Sequence, residues 1–183
     1  FFFKQKTAYE IYQCDWSSDV CSSDLRISRS HRQRESDMTY DFQDGNGPVA
    51  AHQHPNGGGW VADTASVEPT AYVGLNAKVY GNASVFGHAN VFGNARVSGY
   101  AMVSGNASVF GNAIVFGNAM VYDDAGVFGN AIVFGNASVF GNASVFGNAE
   151  VSERALVSGN AKVSGRALVS GRARVFGNAM VCD

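Results

Sequence analysis

A valine recurs at every sixth residue from Val61 to Val181, without one insertion or substitution. If each hexad is numbered from its valine as position 0, position −2 is alanine in every hexad after the first, where it is Gly59. Position +2 is usually glycine and position +3 is usually asparagine, so the consensus is Ala-x-Val-[Phe/Ser/Tyr]-Gly-Asn. A short repeat with a fixed period is typical of a solenoid, and it constrains the fold more than any other property of this chain.

The six-residue word has the chemistry of one short strand followed by a tight turn. Alternation within Ala-x-Val-Phe places alanine and valine on one face and the other two residues on the opposite face. Glycine adopts positive φ freely and asparagine tolerates it, so Gly-Asn supplies the turn. Three such units close one triangular coil of 18 residues, and the repeat makes six to seven coils, stacked about 4.8 Å apart. The sequence therefore predicts an all-β triangular solenoid, because a period of six does not match an amphipathic helix.

From Trp60 to Cys182 the hexads resemble the hexapeptide-repeat family, which includes bacterial acyltransferases and γ-class carbonic anhydrases. The resemblance implies that the solenoid is a left-handed parallel β-helix. The stretch GGGWVADTASVEPTAYVGLNAKVYGNA further resembles poorly characterised bacterial and phage-associated members, often labelled acyltransferases from the repeat alone. Repeat motifs specify a fold sharply and a function poorly.

The first residues of the chain do not share the repeat. Residues 1–25, FFFKQKTAYEIYQCDWSSDVCSSDL, resemble the conceptual translation of a sequencing-adapter contaminant, which implies an artefact of assembly, with a real aromatic-rich N-terminal arm as the alternative. Residues 26–38 are polar and basic without periodicity, and we interpret them as read-through or a disordered arm, with Met38 as the authentic start.

Residues 39–59 form a lead-in rich in glycine, proline and asparagine. This composition predicts a loop with one short strand at 40–43. The β-helix is predicted over 60–183. Nothing after Val181 resembles a cap, so we expect the repeat to be truncated at its C-terminal end.

Charge and cysteine content exclude several classes of function. The net charge of −2 provides no basic field for nucleic acid, and no apolar run reaches the roughly 20 residues that cross a bilayer. We therefore expect neither a nucleic-acid nor a membrane partner and, without a signal peptide in view, a cytoplasmic location by default. Cys14, Cys21 and Cys182 are too few for a disulfide framework or a four-ligand metal site.

Function on a solenoid is carried by its outward positions, here −1 and +1, and every eighteenth residue belongs to the same wall. We name walls 1, 2 and 3 by their first valines, Val61, Val67 and Val73. The predicted interaction surface consists of Phe92, Phe110, Phe128 and Phe146 on wall 3, and of Tyr80, Phe116, Phe134, Ile114 and Ile132 on wall 1.

The middle of the solenoid carries very little charge. Between Val79 and Ala149 the only charged residues are Arg96, Asp123 and Asp124. Exposed apolar surface on this scale usually indicates a partner. Two interpretations stay open: the aromatic rings stabilise a thin protein by covering one another, or a wall mediates oligomerisation. We predict a homo-oligomer, most simply a trimer.

Two corners and the last coils depart from the consensus. Asp123-Asp124 and Glu153-Arg154 replace Gly-Asn, which indicates Asx-type turn chemistry and a solvated ion pair, with a cation or ligand site as the alternative. The basic residues of the last two coils indicate a solvated end, with a phosphate or nucleic-acid patch as the alternative. These basic residues are Arg154, Lys162, Arg166, Arg172 and Arg174.

Histidines are the candidates for chemistry. The family resemblance implies a histidine general base in a cleft between subunits for acyltransferases, and three zinc-binding histidines for carbonic anhydrases. His88 is the one histidine of the repeat, at an asparagine position of a corner, and it is the candidate catalytic base. A zinc site would need His52 and His54 of the lead-in to join it, so no metal site is predicted.

The leading interpretation is a non-catalytic β-solenoid that serves as a structural or interaction module, associates with itself and needs no cofactor. The alternative is an acyltransferase-like enzyme with its active site between subunits, which would use acetyl-CoA or another acyl-CoA. The repeat contains no loop excursion of the kind that shapes a substrate site, which favours the first interpretation.

Overall fold

The structure, a computed structural model, describes residues 38–183. The interpretation of the segments before Met38 concerns residues 1–37, which lie outside the described residues. Within residues 38–183 every regular element is a β-strand, and no helix is present.

The strands are numbered in chain order. They are β1 (Thr39–Asp41), β2 (Pro48–Gln53), β3 (Trp60–Ala62), β4 (Ser66–Val67), β5 (Tyr72–Val73), β6 (Lys78–Val79), β7 (Ser84–Val85), β8 (Asn90–Val91), β9 (Arg96–Val97), β10 (Met102–Val103), β11 (Ser108–Val109), β12 (Ile114–Val115), β13 (Met120–Val121), β14 (Gly126–Val127), β15 (Ile132–Val133), β16 (Ser138–Val139), β17 (Ser144–Val145), β18 (Glu150–Val151), β19 (Leu156–Val157), β20 (Lys162–Val163), β21 (Leu168–Val169), β22 (Arg174–Val175) and β23 (Met180–Val181). Most strands hold only positions −1 and 0, because the residues on either side already lead into the turns.

The repeat strands form three parallel sheets, one for each predicted wall. Wall 1 runs from β3 through every third strand to β21, wall 2 from β4 to β22, and wall 3 from β5 to β23. Each strand pairs with the strand 18 residues further on, so that Val61 lies beside Val79 and Val115 beside Val133. The predicted fold class is confirmed: the chain is an all-β parallel solenoid of about seven turns with about 18 residues per turn.

Valine and alanine fill the interior of the tube, as the alternation within the hexad predicts. The valines at position 0 and the alanines at position −2 are completely buried through most of the coils, for example Val115 and Ala113. Alanine is the only side chain at position −2 that the repeat uses after the first hexad, because the inner side of a corner is narrow. These residues form one continuous core along the tube.

Backbone hydrogen bonds join each coil to the next. In a typical hexad three N–H groups, at positions −1, +1 and +3, donate to carbonyl oxygens one coil further on. In one such set, Ile114 donates to Ala131 at 3.0 Å, Phe116 to Val133 at 3.0 Å and Asn118 to Gly135 at 2.7 Å. The ladder therefore continues through the corners, where the asparagine N–H donates to the glycine carbonyl of the following coil.

The corners need glycine for two reasons, which Gly117 illustrates. Its φ is +73°, in the left-handed region that L side chains rarely adopt. A Cβ at this position would also lie 2.9 Å from the backbone nitrogen of Gly135 in the next coil, closer than real Cβ contacts allow. A side chain at this position therefore requires both a strained φ and a shift of the next coil, and glycine avoids both costs.

The lead-in forms a β-hairpin that covers the first edge of wall 1. β1 pairs antiparallel with β2, and β2 pairs antiparallel with β3. The turn of the hairpin is fixed by its acids: the Asp41 carboxylate accepts the Gln43 backbone N–H at 2.8 Å, and the backbone and side-chain amides of Asn46 lower the pKa of Asp44. The expected short strand near residues 40–43 is present as β1.

The prediction that the rest of the lead-in is a loop was wrong, because β2 occupies Pro48–Gln53. This strand has only one fully buried residue, Ala51, so its own sequence carries little periodicity. It is stabilised instead by pairing with β3 on one side and β1 on the other. Pro48 lacks an N–H and stands at the first position of the strand, where proline is tolerated.

A glycine-rich loop after β2 covers the first edge of wall 3. The Gly59 N–H donates to the Val73 carbonyl at 2.9 Å, and the Val73 N–H donates to the Asn56 carbonyl at 3.0 Å. A Cβ on Gly57 would collide with the Val73 carbonyl oxygen, and one on Gly59 with the Gly74 carbonyl oxygen. The glycine run Gly57–Gly59 is therefore required for this backbone approach.

Among residues 38–183 there is no helix long and apolar enough to span a membrane.

Replacing Gly117 by alanine should destabilise the solenoid by about 2 kcal/mol, because the substitution combines a strained φ with a collision against the next coil. Gly126 provides the matched control: it lies at an outward strand position, without positive φ, and the nearest side-chain atom to an added Cβ is 3.6 Å away. Gly126→Ala should therefore leave the urea midpoint unchanged or raise it slightly. Equal losses in the two variants, measured by circular dichroism during urea unfolding, would contradict this account of the corners.

Candidate functional site

Four phenylalanines form a ladder on the outer face of wall 3. They are Phe92, Phe110, Phe128 and Phe146, and consecutive ring centroids are 4.8–5.0 Å apart with planes within 5° of parallel. This spacing is the distance between coils, because position +1 repeats in register on every coil. The residues beside the ladder at position −1 are small or polar, so the rings are the largest feature of this wall. They are Asn90, Ser108, Gly126 and Ser144.

Wall 1 carries an apolar face in two adjacent coils. Ile114 and Ile132 occupy position −1 of neighbouring strands. Phe116 and Phe134 occupy position +1, and their rings stack with a centroid distance of 5.0 Å and an interplanar angle of 3°. In these two coils, both outward positions of wall 1 are therefore apolar.

These two surfaces meet across corner 3, the turn that leads from wall 3 into wall 1. Position +1 of wall 3 is the last outward residue before this turn, and position −1 of wall 1 is the first after it. Phe110 and Ile114 thus flank one turn, and Phe128 and Ile132 flank the next. We name the combined surface the aromatic band. Its residues are Phe92, Phe110, Phe128, Phe146, Ile114, Ile132, Phe116 and Phe134.

An asparagine ladder runs along the apex of corner 3. The side-chain Nδ2 of Asn94 donates to Oδ1 of Asn112 at 3.1 Å, Asn112 donates to Asn130 at 3.0 Å, and Asn130 donates to Asn148 at 3.1 Å. Stacked asparagines of this kind stabilise repeated strands and turns. The ladder fixes the edge between the two halves of the aromatic band. The recurrence of asparagine every 18 residues is the sequence signal that could have predicted it.

The aromatic band is partly exposed and uncharged. Phe92 and Phe116, the first rings of their stacks, are each 37% exposed, and the rings below them are half-buried because each one is covered by its neighbours. Stacking along the axis leaves the ring edges outward. On wall 1 the band is bordered by Arg96 above and Glu150 below.

Tyr80, which was also predicted to belong to the interaction surface, is half-buried on wall 1 and packs on the lead-in. Its ring stacks on Phe42 of the lead-in at 4.9 Å. Phe42 is buried and packs with Ala51 and Ala62 in a small second core. Tyr80 therefore contacts the hairpin, and Ser98 separates it from the aromatic rings further down wall 1.

Wall 2 carries a second, smaller aromatic stack. Tyr122 and Phe140 have ring centroids 4.9 Å apart and nearly parallel planes. Burial raises the pKa of the Tyr122 hydroxyl above its ordinary value, and the charge of Asp123 raises it further. Met102 and Met120 lie in register on the same wall and are exposed. Serine interrupts the column between Phe86 and Tyr122, so this stack is shorter than the ladder of wall 3.

His88 lies on corner 2, the turn from wall 2 into wall 3, and is exposed. Its backbone N–H donates to the Gly105 carbonyl at 2.8 Å, as the corner asparagines do. Its carbonyl oxygen accepts Nδ2 of Asn90 at 3.0 Å. Its imidazole forms no hydrogen bond with residues 38–183, so within this part of the chain no acid orients it as a base.

The lead-in histidines have separate partners. Nδ1 of His52 lies 2.8 Å from Oδ1 of Asp63, and both side chains are exposed. His54 is buried, and its Nε2 lies 3.0 Å from the Ala71 carbonyl oxygen. In the described part of the chain no three histidine, cysteine, aspartate or glutamate side chains form a group that could hold a metal ion.

No family model, no curated protein and no solved structure matches this chain.

Replacing His88 by asparagine should raise the stability of the solenoid by about 0.5–1 kcal/mol, because the new amide can donate to Asn106 and lengthen a side-chain ladder. Asn106 already donates to Oδ1 of Asp124 at 2.9 Å, and its own oxygen is available on the side of His88. The reverse substitution, Asn112→His, interrupts the ladder of corner 3 and should lower the thermal midpoint. A lower midpoint for His88→Asn would show that the imidazole has a role that asparagine cannot supply.

Proposed function

We propose that the protein is a non-catalytic interaction module that associates with copies of itself through the aromatic band. The observation that supports this proposal is the contiguity of the band: two apolar columns flank a single corner and carry no ionisable side chain. Apolar surface of this extent on a soluble protein is commonly an interaction site. Burying it requires no charge to be removed from water, which favours association.

A second copy of the chain is the partner that best fits the spacing of the band. The rings of wall 3 repeat every 4.8–5.0 Å, and the same repeat runs through every coil of any other copy. Two copies with parallel axes can therefore align ring against ring over several coils. A partner whose surface does not repeat at the spacing of the coils could contact the ring of one coil but would not be aligned with the ring of the next.

The position of the band suits a three-fold arrangement. A triangular tube can direct one corner toward a symmetry axis, and the columns on both sides of that corner then face the neighbouring copies. At corner 3 these columns are Phe110 and Phe128 on one side and Ile114 and Ile132 on the other. Each subunit would thus place phenylalanines against the isoleucines of the next, which is a closed, heterologous interface.

The rigid backbone under the band lowers the cost of association. Each aromatic side chain is already held by stacking, so little rotamer entropy is lost when a partner covers it. Stacking also explains the competing interpretation, in which the rings only stabilise the tube. The two interpretations differ in what they predict for the mass of the protein in solution.

The acyltransferase alternative requires His88 to lie between subunits. Corner 2, which carries His88, is separated from corner 3 by wall 3. In a three-fold assembly around corner 3, His88 would therefore lie away from the axis. The His88→Asn protein tests this alternative directly: loss of acetyl transfer from acetyl-CoA in that variant, with activity in the parent, would favour the enzyme.

The full chain should have a mass three times that of one protomer in light scattering after size exclusion at about 10 µM, and the double variant Phe110→Ser/Phe128→Ser should be monomeric. Serine already occupies position +1 at Ser98, Ser104 and Ser158, so the fold tolerates it there. Covering each exposed ring contributes about 0.5–1 kcal/mol to association, which the variant removes.

The matched control is Tyr122→Ser/Phe140→Ser, which removes the stacked pair of wall 2 and should leave the mass unchanged. Circular dichroism checks that both variants remain folded. A parent protein that is monomeric at all concentrations, or a control that dissociates as fully as the test variant, would refute self-association through the band.

A further inference from the structure

Corner 1, the turn from wall 1 into wall 2, changes its chemistry in the last coils. Asn118 and Asn136 continue the consensus, and Nδ2 of Asn118 donates to Oδ1 of Asn136 at 3.3 Å. The next two residues at this position are Arg154 and Arg172, so the amide ladder ends at Asn136. A cavity of about 460 Å³ opens here, and it is lined by Asn136, Glu153, Arg154, Gly171 and Arg172.

The fold holds two arginines close together at this cavity. Arg154 and Arg172 occupy the same position of adjacent coils. The backbone N–H of Arg154 donates to the backbone carbonyl of Gly171 at 2.9 Å. Their backbones are therefore about one coil, or 4.8 Å, apart. Neither guanidinium has a carboxylate within 4.0 Å among residues 38–183, where the ion pair present is that of His52 and Asp63. Within this part of the chain neither arginine therefore has an ion-pair partner.

Glu153 lies at the edge of the same cavity in a strained conformation. Its φ is +58°, at a position where most corners have glycine. The other acid with this conformation, Asp123 with φ +60°, uses its carboxylate to accept the Gly141 N–H at 3.1 Å. The Glu153 carboxylate accepts no hydrogen bond from residues 38–183, and Oε2 lies over Gly171. Unlike Asp123, Glu153 therefore does not stabilise its own corner through a side-chain hydrogen bond.

The donors around the cavity are matched by few acceptors. Each guanidinium presents a planar fork of N–H groups suited to an oxyanion. Because Oδ1 of Asn136 is used by Asn118, its Nδ2 is the group left to face the arginines. Glu153 is the one acidic side chain in the lining, and its carboxylate competes with any anion for the same donors.

We propose that this cavity is a binding site for a phosphate group. Arg154 and Arg172 each donate to the phosphate oxygens from successive coils, and Asn136 adds a neutral donor. The Glu153 carboxylate repels anions and so weakens the site. A dianion overcomes this repulsion because it forms strong ion pairs with both arginines, so the site is selective for dianions. The proposal does not depend on self-association, because none of the residues of the aromatic band lines the cavity.

The test is a titration of the full chain with inorganic phosphate at constant ionic strength, followed by calorimetry and by broadening of the ³¹P resonance. A dissociation constant of about 1 mM is expected. Arg154→Asn and Arg172→Asn should each weaken binding about tenfold, which corresponds to roughly 1.4 kcal/mol. Both substitutions restore the consensus residue of the corner, so the fold is retained.

Arg166→Asn is the matched control, because Arg166 occupies the same hexad position on corner 3 and does not line the cavity. It removes the same charge and should leave phosphate binding within about twofold of the parent. Glu153→Gly, which restores the consensus glycine, should tighten binding several-fold. Acetate in the same titration should bind at least tenfold more weakly than phosphate.

Several outcomes would overturn the proposal. Equal weakening by Arg166→Asn and Arg154→Asn would indicate a diffuse positive field in place of a site. Acetate binding as tight as phosphate would indicate a carboxylate site. No saturable titration at 20 mM phosphate, about twenty times the expected dissociation constant, would exclude the phosphate site. Weaker phosphate binding in Glu153→Gly would contradict the weakening role proposed for Glu153, because it would show that the glutamate organises the arginines.

Discussion

The register between coils is the constraint on which the rest of the structure depends. A typical coil presents three N–H groups per wall to carbonyl oxygens of the next, and the strand pairing is offset by 18 residues, as between Ile114 and Ile132. One inserted residue would break these bonds and turn a valine outward. The same register places like side chains on top of one another, which turns a polar corner into an amide ladder and an aromatic position into a stack. The outward side chains of this protein are therefore arranged in columns that run along the axis of the solenoid.

The interior and the walls could be predicted from the sequence because they depend on one period. Valine and alanine at fixed positions gave the buried columns, and the outward columns followed from counting in steps of 18, including Phe110 beside Phe128. The lead-in could not be predicted in the same way. β2 has almost no pattern of its own, and its hydrogen bonds come from β1 and β3. The stacking of Tyr80 on Phe42 depends on the same hairpin, so counting along the wall could not predict it.

The candidate surfaces divide along the axis of the tube. The middle coils carry aromatic side chains and almost no charge, and the last coils carry arginines at corners where asparagine is the consensus. Neither change alters the core, because positions −1, +1 and +3 point outward. The proposed self-association and the proposed phosphate site can therefore be altered by separate substitutions. The fold supplies a scaffold on which each column varies with little effect on its neighbours.

The glycine loop at the start of the tube has a consequence for how the chain finds its alignment. Successive coils are so alike that a strand displaced by a whole turn would still bury valine against valine. The loop residues Gly57 and Gly59 pack against the backbone of Val73 and Gly74, where the corner glycine of later hexads is replaced by Leu75. This junction differs from every later corner, so it sets the register between the first coil and the coils that follow. Without this junction, the coils could still stack valine on valine, but the lead-in could pair with the wrong coil.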